Sequence, residues 1–483
     1  MRPVRIRSGG AAFMGLALAF LTGCHVGPNY HAPALPAAAA ASLVSMNPSL
    51  ESSEPPPEAW WQLYSSPRLE ELVQEALGAN RALAAAEAHL AAARAVLSAA
   101  RATRYPSTEV VASGLYGRDP LTDEILELTA RPPQTLWVFE DLFQASYELD
   151  LFGRIRRAIE AAKANADAVA AARDSVRVVV AAEATRDYAA ACALGEQLEV
   201  AHRSLDVVTR EAEITRQRLE AGAGSRFDVE RAQAVIAQAR SSIPQLEGAR
   251  QVALLELTAV LGRTPANAPR DIESCVTPPR LSALIPVGDG RALIQRRPDV
   301  RQAERRLAAA TAEIGVATAE LYPAIRLTGF YGGAAPELSL LGTDLGRAWG
   351  VGPSISWTFP NQAGPRARVR QAKASQAAAL AGFDSAVLTA LKETEQALAV
   401  YSAALDHRQA LADAQERVHN AFDIARDGFA AGSLSTLDLL TTEQSLVALD
   451  AAVAASDSDL VQDQIAVFKA LGGGWGSQSQ PRR

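Results

Sequence analysis

The chain has 483 residues, with 47 Lys and Arg against 54 Asp and Glu, a net charge of −7, six histidines and three cysteines. No basic block runs through it, which excludes nucleic acid as an ordinary partner. It carries no His-Glu-x-x-His, Gly-x-Ser-x-Gly or phosphate-loop motif, so no catalytic residue, metal ligand or enzymatic activity is assigned.

Residues 1–23 read as a signal peptide. Arg2, Arg5 and Arg7 precede an apolar run from Ala11 to Leu21, which falls short of the roughly 20 residues a helical span needs. Leu21-Thr22-Gly23-Cys24 resembles a bacterial lipobox. That resemblance implies S-diacylglycerol and an N-acyl chain on Cys24, and His25 in place of Asp points to the outer membrane. More than one acyl chain makes such an anchor stable. Residues 24–66 would then be a lipid-anchored segment. The other cysteines, Cys192 and Cys275, could pair in an oxidising compartment, but the sequence does not bring them together. No later stretch has 18 uncharged apolar residues, so a membrane crossing would require a closed β-barrel.

From residue 67 the chain is written twice. Residues 79–106 align with 296–323 at an offset of 217, including Glu87/Glu304, Leu90/Leu307 and Tyr105-Pro106/Tyr322-Pro323. Ala221-Gly222, Ser225, Asp228 and Leu261-Gly262 match Ala431-Gly432, Ser435, Asp438 and Leu471-Gly472 at an offset of 210. The difference of seven falls in one loop of an otherwise shared plan.

The first repeat spans 67–261. A helix from Pro67 to about Thr103, rich in Ala, Leu and Glu, is ended by Pro106. A β-hairpin follows at 107–152. Its second strand alternates Phe143, Ala145, Tyr147, Leu149 and Leu151 with Gln144, Ser146, Glu148 and Asp150, the period of a strand with one apolar face. A long helix at 153–221 contains a single glycine, Gly195, and would run about 100 Å. Gly222 stops it as a C′ glycine, and Ser225 with Asp228 caps a returning helix at 225–261. Pro244 lies inside that helix and is expected to kink it.

Residues 262–298 form a linker. The second repeat, 299–471, has a helix, a hairpin at 324–360, a long helix at 365–431 and a returning helix at 435–471, followed by a tail at 472–483. Val351, Pro353, Ile355, Trp357 and Phe359 alternate with small and polar residues. Pro353 is at odds with a central strand. Each repeat gives two strands, and four strands cannot enclose a pore.

Several segments together make the mature chain resemble the TolC-like outer-membrane efflux factors, and within them the NodT-type lipoproteins. These are Gly23–Tyr30, Trp60-Trp61, Tyr147–Arg154, Arg296–Val300 and the two Ala-Gly-x-x-Ser turns. The fold class this implies is mainly α with a membrane β-barrel. Four strands per protomer would join in a homotrimeric, twelve-stranded barrel over a long α-helical barrel in the periplasm. An equatorial belt would come from regions near 45–65, 262–298 and 471–483. The resemblance also implies a periplasmic membrane-fusion adaptor, an inner-membrane pump and outer-membrane lipid as partners, with no cofactor beyond the lipid on Cys24. The function it implies is passive conduction of drugs or other solutes out of the periplasm. The outer component of a type I secretion system and a periplasmic coiled-coil adaptor are the alternatives.

Two groups of residues are singled out on this basis. Gly222, Ser225, Gly432 and Ser435 mark hairpin tips expected to face the adaptor. Just above them, Glu213, Asp423 and Asp427 would form acidic rings at a gate or selectivity filter; as solvated charges they would instead pair with Arg216 and Arg426. Tyr116, Trp137, Tyr331, Trp349 and Trp357 belong either to aromatic girdles or to packing between strands.

Overall fold

The structure is a computed structural model that describes residues 26–34, 39, 41, 43–47, 51–52, 54–118, 135–281 and 284–473. The signal peptide, Cys24, most of the first hairpin's loop and most of the tail lie outside the described residues. The element order is α1 (Pro67–Ala79), α2 (Arg81–Ala102), β1 (Ser107–Gly117), β2 (Leu136–Leu149), α3 (Arg154–Glu220) and α4 (Arg226–Val260). It continues with α5 (Gly290–Arg296), α6 (Pro298–Ala319), β3 (Ala324–Ala335), β4 (Arg347–Ser356), α7 (Ala363–Ala430) and α8 (Thr436–Ala470).

The first helix is not continuous as expected. Asn80 breaks it with an extended backbone, φ −61° and ψ 130°. Its Oδ1 accepts from Leu83 N and its Nδ2 donates to Val260 O, so one short side chain caps α2 and ties the break to the end of α4. The strands are also shorter than expected. β4 stops at Ser356, and β2 stops at Leu149, where Asp150 already serves the next helix by accepting from Ile155 N and Arg156 N. Helix α4 runs through Pro244 without interruption. Helix α2 reaches a mean hydropathy of 1.2 over an 18-residue window, but the hydropathy comes from alanine. Glu87 and Arg94 lie within it, which a lipid-exposed span disfavours.

The chain divides into two compact units. One holds the residues through 32, 91–168 and 304–382, and with them the sheet. Strands β1, β2, β3 and β4 lie in that order, each antiparallel to the next. All four strand–helix junctions fall at the same end of the sheet. Beside them Arg157, almost wholly buried, donates to Val26 O, Gly27 O and, at 2.7 Å, to Asn29 Oδ1. Tyr30 donates its hydroxyl to Glu304 at 2.7 Å. Gly27 has φ +86° and lies against Gly315, where a Cβ would come within 2.5 Å of the Gly315 Cα. The chain just after Cys24 is thus strapped onto α3 and α6.

The second unit holds 33–90, 169–303 and the residues from 383 onward. Its core gathers Trp60, Trp61, Tyr64, Leu69, Leu72 and Phe468, with Trp60 stacked on Phe468 at 4.8 Å. Glu51–Ser52 pairs in parallel with Ile285–Pro286, and Ile285 is part of this core. Cys192 and Cys275 form a disulfide, which settles the pairing that the sequence left open. Gly195, the lone glycine of α3, lies one turn further on. A Cβ there would stand 2.1 Å from Cys275 O and 2.9 Å from an Arg250 guanidinium nitrogen, so the loop crosses the helix where only glycine leaves room.

Candidate functional site

The sheet's two faces differ in character, although Asp141 and Arg347 stand on the mostly apolar one and Leu142 and Phe330 on the other. One cross-strand row is Val110, Phe143, Tyr331 and Trp349. On the same face Ala145 is followed by Gly329 and Val351, Tyr147 by Leu327 and Pro353, and Leu149 by Ile325 and Ile355. The opposite face holds Glu109, Gln144, Ser146, Glu148, Arg326 and Ser354, with Glu148 held by Arg154 at 2.8 Å and Arg326 at 3.1 Å. Water should be on this second side. The apolar side is bare: Val351 is 72% exposed, Trp349 69% and Ile355 69%, a continuous patch of a kind that marks a membrane or a partner.

Strands β1 and β4 have no neighbour on their outer edges among the described residues. Their 11 and 10 residues offer rows of backbone groups to another chain. Pro353 fits here because β4 is an edge strand. Aromatic rings sit toward both ends of the apolar face. Tyr116 packs on Trp137 at 5.3 Å and Trp137 stacks on Phe139 at 5.4 Å toward the loop end. At the junction end Trp357 stacks on Phe359 at 4.7 Å and donates its indole N–H to Leu321 O. Tyr331 and Trp349 lie between these groups, within the apolar band.

The two hairpin tips are near copies. Gly222 and Gly432 both have φ +76° with open space around them, so glycine is there for its backbone and not for want of room. Ser225 and Asp228 form a full capping box, as do Ser435 and Asp438. Hydrogen bonds from Ser435 hold the Asp438 carboxyl below its usual range. The tips also touch: Arg218 lies 4.0 Å over the Phe429 ring and donates to Phe429 O. Phe227 and Leu437, at equivalent places in the first turn of α4 and α8, are both exposed.

The three acidic residues above the tips are solvated ion-pair members. Glu213 accepts from Arg216 and Gln217, which lower its carboxyl to about 2. Arg426 lies 3.2 Å from Asp423 and 3.5 Å from Asp427, and both acids are well exposed. Within one chain each acid therefore has its arginine. More conspicuous is a pair that sequence reading did not single out. Glu443 on α8 is fully buried with neither carboxylate oxygen hydrogen-bonded, and Glu211 on α3 is buried beside it. A charged residue on the stripe between Leu439, Leu440 and Leu446 was the signal in the sequence.

The chain matches the family described as outer membrane efflux protein over residues 72–263 and 291–473. It is 28% identical over 456 residues to nodulation protein T of Rhizobium leguminosarum bv. viciae, covering 94% of this chain and 92% of that protein. It is likewise 28% identical over 473 residues to the probable outer membrane lipoprotein SilC of Salmonella typhimurium, covering 94% and 96%. Among solved structures it is similar to the outer-membrane channel OprN, with a TM-score of 0.87 at 34% identity over 94% of this chain and all of that one.

Proposed function

The chain belongs to the outer membrane efflux protein family, as an outer-membrane efflux channel component that reaches into the periplasm, and from that premise we propose that three copies close one duct. The open edges of the sheet carry this reading. A four-stranded sheet with one apolar face and two unpaired edges has no stable place in lipid by itself, since each bare backbone group costs several kcal/mol there. Edge β1 of one copy against edge β4 of the next removes both, and twelve strands leave room for a lumen. The apolar rows then meet lipid and the Glu148–Arg326 side lines the passage.

Cys24 is acylated in this proposal. It lies two residues before the strap that Arg157 and Gly315 hold at the junction end of the sheet, so its acyl chains reach lipid beside the wall. The tips at Gly222, Ser225, Gly432 and Ser435 receive a periplasmic adaptor, which links the duct to an inner-membrane pump, and the exposed Phe227 and Leu437 give that contact its apolar area. Glu213, Asp423 and Asp427 form the periplasmic gate, where their arginines exchange partners between neighbouring copies as the duct opens. Nothing in the duct is a catalyst: solutes, drugs among them, pass down a gradient set by the pump.

Purified acylated protein should migrate as a trimer on unheated gels, collapse to monomer on boiling and give pores in planar lipid. A water-soluble monomer after removal of the acyl group, with no sheet signal, overturns the reading. Asp423→Asn with Asp427→Asn should reduce cation preference; an unchanged preference removes these residues from the gate.

A further inference from the structure

The buried carboxylates Glu211 and Glu443 stand just above the tips, where α3, α4, α7 and α8 pack together. Leu440 and Val447 of α8 face Val208 and Ala212 of α3 and Val235 and Ile236 of α4. Leu439 and Leu446 face Phe422, Ala425 and Phe429 of α7. Glu443 lies on the stripe between those two sets, fully buried and with both oxygens unsatisfied. An unpaired carboxylate in such a place is costly unless it holds its proton.

The charged groups around the pair are few. Helix α3 supplies Glu211, the one group whose charge bears on Glu443. Arg426 of α7 and Arg210 of α3 act on Glu211 and partly offset its burial, and α4 presents apolar side chains there. Burial first, and Glu211 second, push the Glu443 carboxyl up to about 7. Glu211 is raised as well. Packing is therefore favoured most below the ordinary carboxylate range and is weakened as pH rises through about 7. Its counterpart in the first repeat is Gln233, which is exposed and cannot ionise, so the carboxylate pair links α8 of the second hairpin to α3 of the first and has no copy on α4.

We propose that Glu211 and Glu443 form a proton-released latch that keeps the second hairpin packed above the tip and frees it to swing outward when Glu443 loses its proton, Glu211 setting the pH at which it does so. The proton on Glu443 passes to water as the layer loosens, and the two adjacent carboxylates then repel each other. The latch rests on the channel reading for its consequence, a periplasmic entrance that opens more readily at neutral pH than in acid.

Two measurements on the full acylated protein separate the latch from the channel. In planar lipid, open probability should rise at least fivefold between pH 5.5 and 8.5. Glu443→Gln and Glu443→Leu should remain at the acid value throughout, and Glu211→Gln should move the midpoint to lower pH. In detergent, hydrogen exchange of peptides covering 205–215 and 439–447, corrected for its intrinsic pH dependence, should rise over the same range in the wild type and not in Glu443→Gln. The exchange result stands even if no pore forms, so failure of the channel reading shows separately. A pH response that persists in Glu443→Gln, or that disappears only with Asp423→Asn and Asp427→Asn, overturns the latch.

Discussion

The two repeats solve the same joint with different chemistry. Asn80 ends α1 and Arg297 ends α5, with backbone angles of −61°, 130° and −63°, 124°. Asn80 Nδ2 donates to Val260 O, and Arg297 Nη1 donates to Ala470 O, both at 2.9 Å. The two breaks are related by the offset of 217 and the two acceptors by 210. Gly262 and Gly472, with φ +69° and +66°, bring the following chain back against each break. What the duplication keeps is a backbone break and a carbonyl that needs a donor. Which side chain supplies the donor is free to change: a neutral amide in one copy, and in the other a guanidinium that also holds Asp299 at 2.6 Å and Glu393 at 2.7 Å.

The largest difference between the copies lies two residues before those carbonyls. Phe468 is fully buried against Trp60, whereas its counterpart Thr258 returns its hydroxyl to Leu254 O in its own helix. The N-terminal segment is therefore fastened to the second repeat. Phe468→Ala should cost about 3–5 kcal/mol and Thr258→Ala about 1 kcal/mol, read as shifts in the urea midpoint of detergent-solubilised protein followed by tryptophan fluorescence. Equal losses would mean that Trp60 does not favour one copy.

The first repeat has its own fastening. Cys192 is bonded across 83 residues to Cys275, and the counterpart of Cys192 is Ser402. Closing a loop of that length stabilises by roughly 2–4 kcal/mol. Cys192→Ser with Cys275→Ser should lower the urea midpoint accordingly and raise hydrogen exchange in 270–281 before it does so around Ser402. Gly195→Ala should loosen the same loop with the disulfide intact, because its Cβ has nowhere to go except into Cys275 O. Exchange that rises equally around Ser402 would show the bond to be a global brace and not a local one.

How far the sequence reached follows the same division. Patterns with a short period were legible: alternation along β2 and β4 gave the faces of the sheet, and the Ala-Gly-x-x-Ser turns gave the tips with their caps. Contacts between residues far apart in sequence were not. Gly195 stood out as the lone glycine of a long helix, but the loop that requires it returns 80 residues later. Asn80 read as one more helical residue, because its purpose is a carbonyl at position 260. Among the site residues, Glu213, Asp423 and Asp427 were conspicuous for their charge and proved to be exposed pairs. Glu443 carries the same charge; its place on an apolar stripe was a local signal, but its full burial depends on three other helices that the stripe alone does not name.

A finer test of the shared joint compares its two donors. Arg297→Ala removes a buried cation and leaves Ala470 O with only the long 3.4 Å hydrogen bond from the Thr394 hydroxyl. Asp299 and Glu393 are each more than a third exposed, so water compensates them in part, and the cost should be about 2 kcal/mol. Asn80→Ala leaves Val260 O and Leu83 N unpaired close to solvent and should cost about 1 kcal/mol. Arg297→Lys should recover only part of the loss, since an ammonium cannot serve the carbonyl and both carboxylates in one plane. Full recovery with lysine would show that charge and not geometry holds the second joint.

The smallest effect should be the most nearly equal between the copies. Ser225 and Ser435 each accept from the backbone N–H of an aspartate three residues on, both at 3.2 Å, and neither cap depends on the surrounding packing. Ser225→Ala and Ser435→Ala should each cost about 1 kcal/mol and should add in the double variant, the two caps being 210 residues apart in sequence and joined by no shared hydrogen bond. The test is whether the urea midpoint of the double variant equals the sum of the single shifts. A larger double effect would mean that the Arg218–Phe429 contact makes one cooperative unit of the two tips, and that unit would then be what meets the adaptor.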